Sequence, residues 1–413
     1  MLKIKRVVAV GILVIIPLTM LAQNNTNSPY TRYGYGELSD RSFGAGRAMG
    51  GIGFGMRSDK QINPMNPASY TSIDSLTFLF DFGIAGQMSW FDDGQNKENH
   101  WNGNLEYAAM QFPLSRRIAV SAGVLPYSYV GYDFGSTQTS ADGVYYSERF
   151  TGKGGLNEVY AGLSVDIWKK RLSVGLNAGY LFGRILHSQT LTLGTTTTNQ
   201  SGRNQALQVN DIKLDFGAQY THRISADGYI ISGLTFSPAK KLNATSSDII
   251  VNGNTSDTIQ VSNQVFGLPN SFGLGFSYVK QNKLTLAADL LYETWEQVRY
   301  FDEKDKFKNR MRIAVGAEFI PGSQERAFFN RVRYRAGLHY SNSYLLINNK
   351  SYNEYGASIG FGLPLIDNRS FLNLSFEYMK VKPESSALID EQYFRFTVNY
   401  TFNERWFFKF KVE

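Results

Sequence analysis

The chain contains no cysteine, which excludes disulfide staples, thiol chemistry and a lipid-modified cysteine anchor. It has only four histidines, His100, His187, His222 and His339. None lies at the i, i+4 or similar spacing that metal ligands need, so no metal or cofactor is expected. Beyond residue 21 no apolar run approaches the ~18 residues of a membrane-spanning helix. Strong charge is missing too: the formal net charge is +7, and three of the basic residues (Lys3, Lys5, Arg6) sit in a leader. The remaining cations are scattered, which argues against nucleic acid as a partner. Proline and tryptophan are scarce, whereas 39 glycines, 25 tyrosines and 29 phenylalanines make a composition rich in β-formers.

The N-terminus sets the compartment. Lys3, Lys5 and Arg6 precede an apolar stretch from Val7 to Leu21, and Ala22 precedes the polar Gln23, Asn24 and Asn25. This order predicts a secretory signal peptide over residues 1–22, cut after Ala22. A membrane anchor is the competing reading, but the run is short for a full span.

The exported remainder alternates with a period of two. Leu372, Leu374, Phe376 and Tyr378 interleave with Asn373, Ser375 and Glu377. Phe394, Phe396, Val398, Tyr400 and Phe402 likewise interleave with Arg395, Thr397, Asn399 and Thr401. Each run therefore has one apolar and one polar face. Comparable runs begin near Leu76, Leu105, Ile118, Leu156, Leu172, Ile212, Gly228, Ser271, Leu284, Met311, Val332 and Tyr355, giving about fourteen strands. Short turns at 114–117, 168–171, 224–227 and 280–283 alternate with long polar stretches at 91–104, 133–155, 187–208 and 244–266. That asymmetry is the outer-membrane pattern, with the long connections extracellular. The slightly negative mean hydropathy suits a barrel with a polar lumen. The expectation is an all-β transmembrane antiparallel barrel over residues 75–413, in the bacterial outer membrane with lipid around it. Residues 143–151 read as an extra loop hairpin, and 194–205 as a polar surface loop. Trp90, Tyr292, Trp295, Tyr340, Trp406 and Phe407 read as interfacial anchors. A soluble β-sandwich is the alternative; it would need more turns and shorter strands.

Residues 23–74 do not alternate. Their glycines (44, 46, 50, 51, 53 and 55), prolines (64 and 67) and apolar residues predict a compact turn-rich plug. The polar strand faces carry Asp81, Asp211, Asp215, Asp289, Glu318, Glu354 and Glu377 against Lys213, Arg312, Arg333, Arg335 and Arg395. In a narrow barrel these would pair with each other and with the plug.

The stretch Gly44-Ala45-Gly46-Arg47-Ala48, followed by Asn66-Pro67-Ala68, resembles the hatch of the FadL/TodX family of outer-membrane channels for fatty acids and other hydrophobic compounds. Leu268 to Gly273, Ala288-Asp289 with Trp295, and Val315 to Glu318 fit as well. The resemblance implies fourteen strands, a gating plug, passive uptake of a hydrophobic small molecule, and its lateral release into the membrane. Gly44, Gly46, Arg47, Ala48, Asn66, Pro67 and Ala68 would form the plug, held to lumen carboxylates such as Asp81 or Asp289. Arg47 facing a ligand head group is the sharper alternative. Met49, Ile52, Phe54 and Met56 would line an apolar pocket or simply pack the plug. Pro126, between Gly123 and Gly131, marks either a lateral window or a strand end above the membrane.

Two features depart from the family: the polar Arg57, Asp59, Lys60 and Gln61 inside the hatch, and a chain end at Lys411-Val412-Glu413 beyond the last strand. They keep a second reading open, a non-transporting barrel that is a subunit of a secretion or assembly complex with envelope protein partners. Catalysis is not expected. Only His339 is placed on a strand body, without a serine partner, and the glycine cluster lacks the strand and third glycine of a phosphate cradle.

Overall fold

The computed structural model describes residues 26–139, 143, 145–168, 171–194, 200–252, 255–261, 265–281, 283–322, 325–365, 369–386 and 388–405. The predicted leader, the threonines 195–198 and the anchors Trp406 and Phe407 lie outside them.

Fourteen strands form the wall. They are β1 (Thr77–Asp92), β2 (Lys97–Pro113), β3 (Ile118–Thr139), β4 (Tyr145–Trp168), β5 (Leu172–Leu193), β6 (Gln200–Arg223) and β7 (Gly228–Ser237). They continue with β8 (Ser271–Lys280), β9 (Leu284–Glu293), β10 (Arg310–Phe319), β11 (Arg333–Asn342), β12 (Tyr352–Pro364), β13 (Phe371–Pro383) and β14 (Asp390–Arg405). Neighbours in sequence pair antiparallel, and β14 closes on β1 from Asp390 opposite Asp92 to Arg405 opposite Thr77. Closure removes the edges that a sheet cannot leave bare in lipid. The predicted strand number is met.

Side chains alternate as expected. On β1 the outward residues Phe80, Ile84 and Trp90 are exposed, while the inward Leu79, Asp81, Gln87 and Ser89 are buried. Apolar exposure with polar burial inverts a soluble protein and is the arrangement of a lipid-embedded barrel.

Three of the four predicted long stretches are not loops. Residues 91–104, 133–155 and 187–208 lie largely within strands, so β3 to β6 run 22 to 24 residues each. The expected hairpin at 143–151 is instead mostly the start of β4. Outside the apolar layer a strand needs no greasy face, so Thr, Ser, Asn and Gln carry the ladder onward without the alternation that marks it in sequence. The fourth stretch, 244–266, contains a hairpin (Ala244–Asn252 with Thr255–Val261) that extends the wall beside β6.

On the other side, β7 to β11 are ten residues each, and connections take over at the extracellular end. Trp295, predicted as an interfacial anchor, is fully buried there. Its ring centroid lies 4.6 Å from that of Tyr344 and 5.4 Å from that of Phe307. Trp90 and Tyr292 do face outward.

Candidate functional site

Residues 26–73 touch the inward faces of strands all around the wall. At the extracellular level Gly34 and Gly36 adopt positive φ of 57° and 87°, turning the chain beneath the aromatic cluster. Tyr300 and Tyr344 donate hydrogen bonds to the Gly34 and Gly36 carbonyls at 2.7 and 2.6 Å. Tyr35 donates to the Gly267 carbonyl at 2.8 Å. The phenols thus satisfy main-chain groups that burial would otherwise strand.

Below this collar the contacts become ionic. Arg41 bridges Glu158 and Asp215, each at 3.0 Å. Asp40 meets Arg312 at 3.1 Å, and the same guanidinium donates to the carbonyls of Gly50 and Gly51. Burial alone would raise the Asp40 carboxyl, but Arg312 and Arg47 outweigh it and hold it below its ordinary value.

Arg47 closes the single helical turn Gly44–Arg47 and is fully buried, 2.5 Å from Glu106 and 3.8 Å from Glu377. It therefore pairs with lumen carboxylates, but not with Asp81 or Asp289 as expected. Asp81 is occupied by Tyr107, Asn399 and Thr401. Asp289 instead accepts the N–H groups of Gly53 at 2.5 Å and Phe54 at 2.8 Å. The Nη2 of Arg47 also donates to the Asp40 carbonyl at 3.1 Å.

The other expected plug residues pack on bare wall. Asn66 caps the short helix Pro67–Ser72 through the Ala68 N–H and donates to the Phe54 carbonyl at 2.8 Å. A side chain at Gly217 would strike Asn66 and Pro67, and one at Gly360 would strike Ala48. The Ala68 carbonyl accepts from Ser164 at 3.1 Å. Gly44 donates to the Tyr107 hydroxyl at 2.9 Å, and Gly46 lies against Ser42 and the Ile52 carbonyl.

Met49 and Ile52 are buried with Ala287 and Ala314, and the half-buried Met56 packs on them. Phe54 fills a recess at Gly273, where an added Cβ would come within 2.7 Å of its ring. Met49, Ile52 and Met56 pack against the wall, and Phe54 also lines the lumen cavity. The lumen cavity is small, about 150 Å³, and its wall includes Glu37, Asp40, Arg41, Glu106, Arg310 and Glu354. A larger hollow of about 440 Å³ lies at the inner faces of β3 to β6 near their extracellular ends, with Lys153, Arg184 and His187 around it.

All four histidines lie on strands, contrary to expectation; β2, β5 and β6 carry His100, His187 and His222. His339 faces the lumen, its Nε2 3.1 Å from Glu354.

The third expected site lies in the wall. β3 follows β2 only from Ala119 opposite Pro113 to Val124 opposite Ala108. A bulge at Tyr127 then follows Pro126 on the β4 side, and residues 128–132 are buried on both faces. β3 has bent inward, and Glu37 and Leu38 pair with Tyr129 and Ser128 in place of β2. An added Cβ on Gly123 would come within 2.7 Å of the Ala108 carbonyl oxygen, at the last point of contact between the strands. Gly131 exchanges hydrogen bonds with the Thr31 hydroxyl, both at 3.2 Å. Pro126 thus sits at a bend beside a seam in the wall, not at a strand end.

A family model described as BamG matches residues 3–413. The chain belongs to the BamG family. Solved structures of outer-membrane channels share the fold of this BamG-family chain. The CymD monoaromatic hydrocarbon channel matches with a TM-score of 0.60 and 13% identity, covering 91% of this chain and 99% of that one. The Pseudomonas putida toluene transporter TodX matches at 0.59 and 13%, covering 89% and 100%. A Pseudomonas aeruginosa FadL homologue matches at 0.57 and 13%, covering 89% and 99%. At such identity the likeness concerns the fold. No curated protein matches the sequence.

Sequence reasoning missed Glu37, Asp40, Arg41, Glu106 and Glu158. Asp40-Arg41 was visible as a charged pair in a Gly- and Ser-rich stretch. Glu106 continues the inward face of Asn102 and Asn104, and the bulge beside it shifts the strand phase from Tyr107 on.

Proposed function

We propose that this BamG-family barrel conducts nothing and acts as a membrane-embedded subunit of an outer-membrane complex, associated with the assembly machinery that the family name denotes. The observation that carries this reading is the occupied lumen. Ligand pockets commonly enclose roughly 300–1,000 Å³ with mainly apolar lining, whereas the cavity beside Phe54 encloses about 150 Å³ among buried charges. A hydrocarbon moving through it would have to displace Arg47, Arg41 and Arg312 from their carboxylates. Each uncompensated charge would then face low dielectric.

Uptake of a hydrophobic compound is the second reading, favoured by the seam beside Pro126. Glu37 and Leu38, paired to the bent strand, and Glu106, paired to Arg47, stand in the wall of the cavity, and these fixed polar contacts favour the first reading.

Native mass spectrometry of the protein, gently extracted from its own membranes, separates the two. The expected result is a stoichiometric complex with other envelope proteins and no bound hydrophobic compound. A solitary barrel carrying a fatty-acid-sized ligand would overturn the proposal.

A further inference from the structure

The seam has two unlike lips. On β3 the main chain is served from inside: Ser39 donates to the Tyr127 carbonyl at 3.0 Å, Glu37 and Leu38 pair with Tyr129 and Ser128, and Thr31 bonds Gly131. On β2 nothing comparable is present. Chirality ties the face of a strand residue to the direction of its N–H and C=O groups. At the periplasmic turn the outward Leu114 donates to Ile118, so outward residues of β2 direct their main chain toward β3. At the other end Asp93 donates to the Asn96 carbonyl, which places residues 98, 100, 102 and 104 on the β1 ladder. Trp101, Gly103 and Leu105 therefore present their N–H and C=O groups to the seam. Among the described residues none bonds to them.

These residues lie at the depth of the lipid. Leu105 is opposite Ile84 and Gly103 opposite Gly86. Trp101 is opposite Met88, beside Trp90, and is itself 68% exposed. A bare sheet edge in hydrocarbon is not tolerated, because acyl chains offer neither donors nor acceptors. β3 cannot return to cover it while residues 36–39 hold it inside the lumen.

We infer that the β2 lip from Trp101 to Leu105 is a docking edge that takes an extended segment of a partner protein, added as a strand within the membrane. The partner strand needs at least five residues, with apolar side chains on its lipid face and free main-chain groups toward Gly103. This inference rests on the reading of the chain as a complex subunit and names how that complex is joined.

A photo-crosslinking amino acid placed in the full-length protein at 101, 103 and 105, in cells, tests it directly. Protein adducts are expected at about fivefold or more over the controls Leu338 and Ile359, which face lipid elsewhere on the wall. Adducts only to lipid, or equal yields at the controls, would overturn it. A second measurement uses Gly103→Pro and Leu105→Pro, which delete N–H groups aimed at the seam and leave the ladder to β1 intact. Recovery of co-purifying protein should fall by about tenfold, with Gly103→Ala unchanged and the barrel still heat-modifiable. If the wild type brings down no envelope protein, the subunit reading fails and this inference with it. If it does, and the proline variants do as well, only the docking edge is lost.

Discussion

The N-terminal segment is held at two levels by two chemistries. Around Gly34 to Gly36 the partners are rings: Tyr35, Trp295, Tyr300, Phe307 and Tyr344, joined by phenol-to-carbonyl hydrogen bonds. From Asp40 to Ala68 the partners are buried ions, Asp289 with its two amide donors, and wall glycines that let the main chain approach. The upper level gains from burial of apolar area and is indifferent to salt. The lower level gains little net energy from its ions, because desolvation offsets their attraction; what it gains is a position that is costly to leave. A segment meant to move aside for a ligand would be expected to hold on less firmly at one level.

Breaking the ionic level should have the largest effect. Arg47→Met leaves Glu106 buried without its ion-pair partner, while Glu377 keeps Arg395 at 3.7 Å, and losing one partner of such a pair costs about 3–5 kcal/mol. Denaturant unfolding in detergent should show that loss. Hydrogen exchange should rise across residues 40–57 while the collar at 30–38 stays protected. Equal exchange at both levels would mean that they are one cooperative unit, not two. The apolar level comes next: Phe307→Ala, at a fully buried ring, should cost about 3 kcal/mol. Its exchange pattern should be the mirror image, raised at 30–38 and nearly unchanged at 40–57.

The ease of reading each level from sequence follows the same division. The wall was legible because lipid on one side and water or plug on the other impose strict alternation, as in Leu372 to Tyr378. Where lipid ends, so does that signal, and β3 to β6 run on through residues that read as loops. The plug was legible as a segment, from its glycines and prolines, but its partners were not. Arg47 sits next to Glu106 only through the way the N-terminal segment threads the wall, and Trp295 is a collar residue because the strands on its side are short. Neither is marked locally, and the one local mark of bending was Pro126 between two glycines.

The smallest effect should come from ions that belong to neither level. Arg149 and Asp133 form a two-pronged contact at 2.8 and 2.5 Å, geometrically better than Arg47 with Glu106. Their side chains are 65% and 50% exposed, so water already solvates both charges and salt screens them. Arg149→Ala should leave unfolding and hydrogen exchange of the N-terminal segment unchanged at any ionic strength. Two ion pairs of similar length would then differ entirely in consequence, because only the buried one leaves a charge without water when its partner is removed. A clear loss of stability in Arg149→Ala would mean that the outer ends of the long strands take part in holding the segment, and that the division into two levels is too simple.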